Sequence, residues 1–166
     1  MRTITEDQFV EDINQNIRII HKICNIYFMN PDDRQDAYQE IVYQLWKSYP
    51  GFKGDARFST WMSKVALNTA ITYIKKSSRE PRKEMLPENF SQLAEEHEPY
   101  RATEKMNLLH AAINTLSEMD KAITLLYLED NSYDEMAAIT GLTKTNVSVR
   151  LVRIKRSLKE KLKNII

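Results

Sequence analysis

A chain of 166 residues with 42% apolar side chains is long enough for one ordinary domain or two small ones and can bury a core. Its formal charge of +1 hides a segregation: from Lys144 to Lys163 the only acidic residue is Glu160, whereas Glu84 to Glu135 is mainly acidic, which points to a polyanionic partner for one end. The single cysteine, Cys24, excludes an internal disulfide, and charges interrupt every apolar run, so no signal peptide or membrane span is expected but a soluble cytoplasmic protein with a buried, reduced thiol.

Glycine and proline punctuate the chain sparsely. Gly51 and Gly54 share one loop, Pro31 and Pro50 bracket a helical segment, and Pro81, Pro87 and Pro99 fall in one middle stretch. Without alternating β-branched runs, nearly the whole chain reads as helix, which predicts an all-α fold. A first helix is predicted from about Glu6 to Phe28, with Phe9, Val10, Ile13, Ile17, Ile20, Cys24 and Tyr27 on one side. His21 lies in it without a second ligand at useful spacing, so it reads as an ordinary histidine rather than a metal ligand.

A second helix, from about Asp32 to Ser48, turns Tyr38, Ile41, Val42, Leu45 and Trp46 inward. Asp36, Gln39, Glu40, Tyr43 and Lys47 share its other face. That face reads as either a solvated surface or a docking face for a basic partner. The loop Tyr49-Pro-Gly-Phe-Lys-Gly-Asp-Ala-Arg57 follows. Phe52, set between two glycines and near Lys53 and Arg57, can stack an unpaired base while the cations neutralise phosphates; equally, it can fold back as a loop anchor. The basic run Lys75, Lys76, Arg79, Arg82 and Lys83 lies beyond. A third helix is predicted from about Phe58 to Ser77, capped by Ser59 or Thr60, with Phe58, Trp61, Met62, Val65, Ile71 and Ile74 packed inward. Its Asn68 can read a base edge through paired donor and acceptor groups, or sit in solvent.

From Ser78 to about Ala102 the chain is Glu-rich and holds three prolines. It reads as a linker too polar to bury, with a short helical turn possible at Asn89-Phe-Ser-Gln-Leu93. The run Glu95-Glu-His97-Glu98 reads as a solvated acidic stretch, because neighbouring ligands on a flexible segment do not easily converge on an ion. Helical periodicity resumes from Thr103 to about Thr115 through Met106, Leu109, Ala112 and Ile113. Ser117 with Asp120 then caps a helix through Leu128 that packs Ile123, Leu125, Leu126 and Leu128 inward.

The stretch from Ser132 to Lys159 reads as a helix-turn-helix. Ser132 and Glu135 can form a capping box, Gly141 can end the first helix at positive φ, and Thr143 with Asn146 can cap the second. In that second helix Val147, Leu151, Ile154, Leu158 and Leu162 form a buried stripe. Thr145, Val149, Val152, Arg153 and Arg156 face the other way, flanked by Lys144, Ser148, Arg150 and Lys155. This surface suits a recognition helix in a DNA major groove; an amphipathic helix with a solvated basic face is the plainer reading.

Three motifs in order sharpen the choice. Asp36-Ala-Tyr-Gln-Glu40 resembles the D-x-x-Q-E signature, Phe52-Lys-Gly-Asp-Ala-Arg-Phe-Ser-Thr-Trp61 the F-R-G-D-x-x-F-x-T-W run, and Val65-Ala-Leu-Asn-Thr-Ala70 the I-A-x-N-x-A run of bacterial sigma factors of the extracytoplasmic-function type. Tyr133-Asp-Glu-Met-Ala and Thr145 to Arg150 resemble that family's fourth-region pattern. The resemblance implies two small helical domains joined by a flexible linker: residues 1–77 as the second sigma region, 78–102 as the linker, and 103–166 as the fourth sigma region. It further implies an alternative sigma factor that binds core RNA polymerase through the beta-prime clamp and beta flap and directs promoter recognition, DNA melting and initiation, with an anti-sigma factor as a further partner. No cofactor or metal is implied.

By the same resemblance, Asp36, Gln39 and Glu40 would dock on the beta-prime clamp coiled coil. Phe52, Lys53, Gly54, Asp55, Ala56 and Arg57, with Asn68, would hold a base flipped from the downstream (minus-ten) promoter element, and Trp61 would support that loop. Ser148, Val149, Val152 and Arg153 would face bases of the upstream (minus-thirty-five) element, while Lys144, Thr145, Arg150 and Arg156 would meet phosphates. The family usually has proline where Ser117 stands and glycine near Asn131; Asn131 tolerates left-handed geometry, so the turn there should form. A dimeric helix-turn-helix regulator would leave the Phe52 loop and the Asp36 face without a role. An enzyme is poorly supported, since His21, His97 and His110 are scattered and neither a nucleophile constellation nor a phosphate-cradling glycine loop is present.

Overall fold

In the computed structural model the described residues are 6–76, Phe90, Leu93 and 103–163. Among them the chain forms eight α-helices and one 3₁₀ turn, without a strand, in two units, Met1–His97 and Glu98–Ile166.

The predicted first helix is two helices, α1 (Glu6–Gln15) and α2 (Ile17–Tyr27). Asn16 causes the break. Its side-chain amide donates to the Asp12 carbonyl at 3.1 Å, the acceptor its own backbone N–H would use in a continuous helix, and that N–H turns to Ile13 O at 2.9 Å. Such competition for a backbone carbonyl is how asparagine interrupts helices. The predicted apolar stripe survives the break, with Phe9, Val10, Ile13, Ile17, Ile20, Cys24 and Tyr27 all buried.

Helix α3 (Pro31–Ser48) starts where Asn30 Oδ1 accepts the Asp32 N–H at 2.8 Å and Pro31 occupies the first turn. It buries Ala37, Ile41, Val42 and Leu45, whereas Tyr38 and Trp46 are only half-buried. A 3₁₀ turn (Tyr49–Gly51) leads into the loop, and α4 (Phe58–Lys75) follows. Ser59 and Thr60 do not cap α4; they lie inside its first turn, and the Arg57 carbonyl accepts the N–H groups of Thr60 and Trp61 at 3.0 and 3.1 Å. The buried side of α4 is Met62, Ser63, Ala66, Leu67 and Ala70, and the expected Val65, Ile71 and Ile74 are half-buried beside it. Small residues at spacings of three and four let α4 approach α2 and α3 closely, and those three helices pack on one another.

Two residues of the expected linker are core residues. Phe90 and Leu93 are buried, the Leu93 N–H donates to Phe90 O at 3.1 Å, and the Phe90 ring lies 5.0 Å from Phe9 and 5.2 Å from Trp46. The segment is therefore polar on average but not at the two positions that bury apolar area. Arg79, Arg82, Lys83, Asn89, Pro81, Pro87, Pro99 and the run Glu95 to Glu98 lie outside the described residues.

In the second unit α5 (Glu104–Asn114), α6 (Glu118–Leu128), α7 (Tyr133–Thr140) and α8 (Lys144–Lys163) pack with α8 against each of the others. Ala112, Ile113, Ala122, Ile123, Leu125, Leu126, Met136, Ile139, Val147, Leu151 and Ile154 are its buried apolar residues. Leu128, expected inside, is 53% exposed, and Met106 is exposed as well. Caps fall where the sequence places them at Ser117, Ser132 and Thr143, which accept the backbone N–H groups of Asp120, Glu135 and Asn146, and Thr103 adds a further cap by accepting the Met106 N–H.

The turn after α6 differs by one residue from expectation. Asp130, not Asn131, takes the left-handed conformation, at φ 61°. Asn131 instead binds the Leu126 carbonyl twice, through its backbone N–H at 3.1 Å and its side-chain amide at 2.9 Å, while the Asp130 N–H meets Tyr127 O at 3.1 Å. This is a Schellman ending. Asparagine thereby supports the turn with its side chain and leaves the strained backbone to its neighbour.

Candidate nucleic-acid interfaces

The first unit carries its loop on a chain of aromatic rings. Tyr49, buried, donates its hydroxyl to Asp12 Oδ2 at 2.6 Å and sets its ring 5.1 Å from Phe9 and 6.2 Å from both Phe58 and Trp61. Phe52 then rests against Phe58 at 5.4 Å and Trp61 at 5.3 Å, and its N–H closes the 3₁₀ turn onto Tyr49 O at 3.0 Å. Edge-on and offset ring pairs of this kind contribute about 0.5–1.5 kcal/mol each beyond their buried area. The loop-anchor reading of Phe52 is thus realised, and its ring is half-buried rather than projecting.

Beyond Phe52 the loop is open. Lys53, Gly54, Asp55, Ala56 and Arg57 are all exposed, and Gly54 holds φ +80°, which a side chain would oppose by about 1–2 kcal/mol. Asn68, on α4, is exposed. On α3, Asp36 and Gln39 are exposed and Glu40 half-buried, with Glu40 Oε1 accepting from Gln44 Nε2 at 3.0 Å. His21 stacks on Tyr38 with ring centroids 5.2 Å apart.

In the second unit the two helices of the predicted motif meet as expected. Gly141 ends α7 at φ 79°, with its N–H on Ala137 O, and Val147 begins the buried stripe of α8, followed by Leu151 and Ile154; Leu158 and Leu162 are half-buried. The outward face presents exposed Thr145, Val149, Val152, Arg153 and Arg156, with Ser148 half-buried. Val149 and Val152, 44% and 56% exposed, set apolar surface between cations, which suits contact with thymine methyl groups in a major groove.

The cations of α8 differ in what holds them. Lys144 pairs with Asp134 at 3.6 Å on the surface, where such a pair contributes little. The Arg150 Nη1 donates to Asp120 Oδ1 of α6 at 3.0 Å. Lys155 lies 4.3 Å over the Tyr127 ring, and a side-chain hydrogen bond with Tyr127 raises its pKa from the usual lysine value. Lys161 bonds the Thr115 hydroxyl of α5. Among the described residues, Arg153 and Arg156 have no intramolecular hydrogen bond or ion pair. Asp120 and Tyr127 are the residues that sequence reading missed: Asp120 looked like a capping acid, and its carboxylate serves a residue 30 positions away.

A four-helix unit with an aromatic-backed loop, followed by a helix-turn-helix whose second helix keeps an apolar stripe inward and a basic face outward, defines a DNA-binding protein. Two family models match the chain, Sigma-70 region 2 over residues 13–80 and Sigma-70, region 4 over residues 106–158. The ECF RNA polymerase sigma-E factor of Escherichia coli strain K12 is 28% identical over 163 residues, covering 90% of this chain and 85% of that protein; its Haemophilus influenzae counterpart is 27% identical over 156 residues, covering 84% and 79%. Among solved structures, the sigma factor RpoE of Bartonella quintana, in complex with the anti-sigma factor NepR, superposes with a TM-score of 0.72 at 17% identity, covering 94% of this chain and 97% of that one. CnrH, in complex with the cytosolic domain of CnrY, gives 0.69 at 16%, covering 96% and 90%.

The chain belongs to the sigma-70 family of bacterial RNA polymerase sigma factors, in its extracytoplasmic-function group. It is an alternative sigma factor that binds core RNA polymerase and directs promoter recognition and transcription initiation. Among the described residues no helix is long and apolar enough to cross a membrane.

Proposed function

We propose that the two units divide promoter recognition between them, one holding the polymerase and an opened base, the other reading the upstream duplex. In the first unit, Asp36, Gln39 and Glu40 on α3 dock on the beta-prime clamp. Phe52, Lys53, Gly54, Asp55, Ala56 and Arg57, with Asn68, hold a base flipped from the downstream element. Flipping costs a few kcal/mol of stacking, and stacking on an aromatic ring returns about 1–3 kcal/mol per base, so melting requires the polymerase as well. Phe52 rests on Phe58 and Trp61, which supports a base platform held by the core.

In the second unit, α8 enters the major groove of the upstream element with Ser148, Val149, Val152 and Arg153 toward bases and Lys144, Thr145 and Arg156 toward phosphates; Arg150 belongs to the phosphate set by resemblance alone. Residues 1–77, 78–102 and 103–166 act as second sigma region, linker and fourth sigma region. The protein acts in the cytoplasm as a binding factor rather than a catalyst, the beta flap is the second unit's contact on the polymerase, and an anti-sigma factor of the kind bound to the similar RpoE and CnrH structures sequesters it.

The observation that carries this reading is the outward face of α8, where exposed Val149, Val152, Arg153 and Arg156 stand opposite buried Val147, Leu151 and Ile154. The test is transcription in vitro from a genomic fragment library with core polymerase and the full chain. Discrete new start sites are expected; start sites identical to those of core enzyme alone would overturn the proposal.

A further inference from the structure

Arg150 is placed among phosphate contacts by resemblance, yet the structure gives its charge to an acid of the same unit. Its Nη1 lies 3.0 Å from Asp120 Oδ1, with the two side chains only 34% and 28% exposed. Asp120 is itself a fixed anchor. Its backbone N–H donates to the Ser117 hydroxyl at 3.2 Å, and its backbone carbonyl accepts the Thr124 hydroxyl at 2.7 Å, so the carboxylate projects from an ordered first turn of α6. Arg153 and Arg156, one and two turns further along α8, are exposed and have no such partner among the described residues.

For Arg150 to serve a phosphate it would have to leave Asp120, and a partly buried carboxylate would then face a polyanion with no cation beside it. Removing one member of a shielded pair is costly because the other is left desolvated and uncompensated. Kept in place, the pair is neutral and fixes α8 on α6 within a turn of Ser148, Val149, Val152 and Arg153. Reading base edges needs side chains held to about half an ångström. We infer that Arg150 and Asp120 form a positioning pair that sets the angle at which α8 presents its base-reading residues, and that Arg150 does not bind DNA phosphate. This rests on the reading of α8 as the upstream-element helix.

The test uses holoenzyme made from core polymerase and the full chain, and the tightest promoter fragment recovered with wild type, beside the same fragment with its upstream element scrambled. Asp120→Asn and Arg150→Gln are each expected to lower the ratio of the two affinities by roughly tenfold, within the range of coupling between residues in contact, and the double variant by no more than either single one. The salt dependence of binding should keep the wild-type slope, since no phosphate contact is lost. Leu158→Ala, which destabilises α8 away from the pair, should leave the ratio unchanged and so separates positioning from mere stability. Three results would overturn the inference: Arg150→Gln flattening the salt slope by about one, Asp120→Asn leaving binding unchanged or tighter, or losses that add in the double variant. A wild-type holoenzyme that does not distinguish the scrambled element would instead remove the reading of α8 itself, and the inference with it, before any variant is made.

Discussion

The two units place their working surfaces differently with respect to their cores. In the first, Phe52 continues the aromatic chain that runs through Trp61, Phe58 and Tyr49 to Phe9, so the surface that would meet DNA is the outer end of the hydrophobic interior. In the second, the outward face of α8, which would meet the upstream duplex, lies opposite its buried stripe of Val147, Leu151 and Ile154. On the proposed reading a side chain in the first unit would therefore support fold and function at once, whereas the second unit can vary its outward residues at little structural cost. On that reading, promoter preference would be easier to change in the second unit than the opening step in the first.

The largest expected effect comes from a third kind of surface, the acidic face of α3, which belongs to neither arrangement. Glu40→Lys should cost about 3 kcal/mol or more of polymerase affinity by setting like charge against a basic partner. Co-purification with core enzyme should fall to background while helicity stays; unchanged co-purification would remove α3 from the docking surface. Coupling in the first unit is probed by Phe52→Ala. It should lower stability by about 1–2 kcal/mol through two lost ring contacts and also impair promoter opening more than closed-complex binding. A variant that opens promoters normally under permanganate footprinting would sever the link between core and loop.

The second unit is expected to separate what the first joins. Arg153→Ala should relax preference at one upstream base pair, cost about 1–3 kcal/mol of specific binding, and leave the melting temperature within a degree or two of wild type. Equal loss on scrambled DNA would show that Arg153 serves phosphate rather than a base. The smallest effects concern the two glycines at φ near +80°, Gly54 and Gly141, where an added Cβ would meet open space. Alanine at either should cost about 1–2 kcal/mol of backbone strain. Gly141→Ala should show it in thermal unfolding with DNA discrimination retained, and Gly54→Ala in the opening step, so a reversal of the two readouts would overturn the contrast between the units.

Local chemistry made much of this legible from sequence. The caps at Ser117, Ser132 and Thr143, the glycine ending α7, and the stripe from Val147 to Ile154 all depend on neighbours within a few positions, and each falls where patterning puts it. The rest depended on partners far along the chain. The helix break at Asn16 follows from one amide choosing a carbonyl over solvent, which a continuous apolar stripe conceals. Phe90 and Leu93 sit in a polar stretch of sequence, yet both are buried, Phe90 against the rings of Phe9 and Trp46; an aromatic and a leucine three apart were the available signal. The contact of Arg150 with Asp120 was hidden for the same reason, since a cation on a basic helix looks free until the facing helix is known.

The aromatic chain has an optical consequence. Both tryptophans of the protein, Trp46 and Trp61, lie within it, and the second unit has none. Indole emission therefore watches the first unit alone, while far-ultraviolet dichroism sums both. Recording the two during one heating ramp would separate the melting of each half without labelling, and a base settling on Phe52 beside Trp61 would announce strand opening as quenched fluorescence.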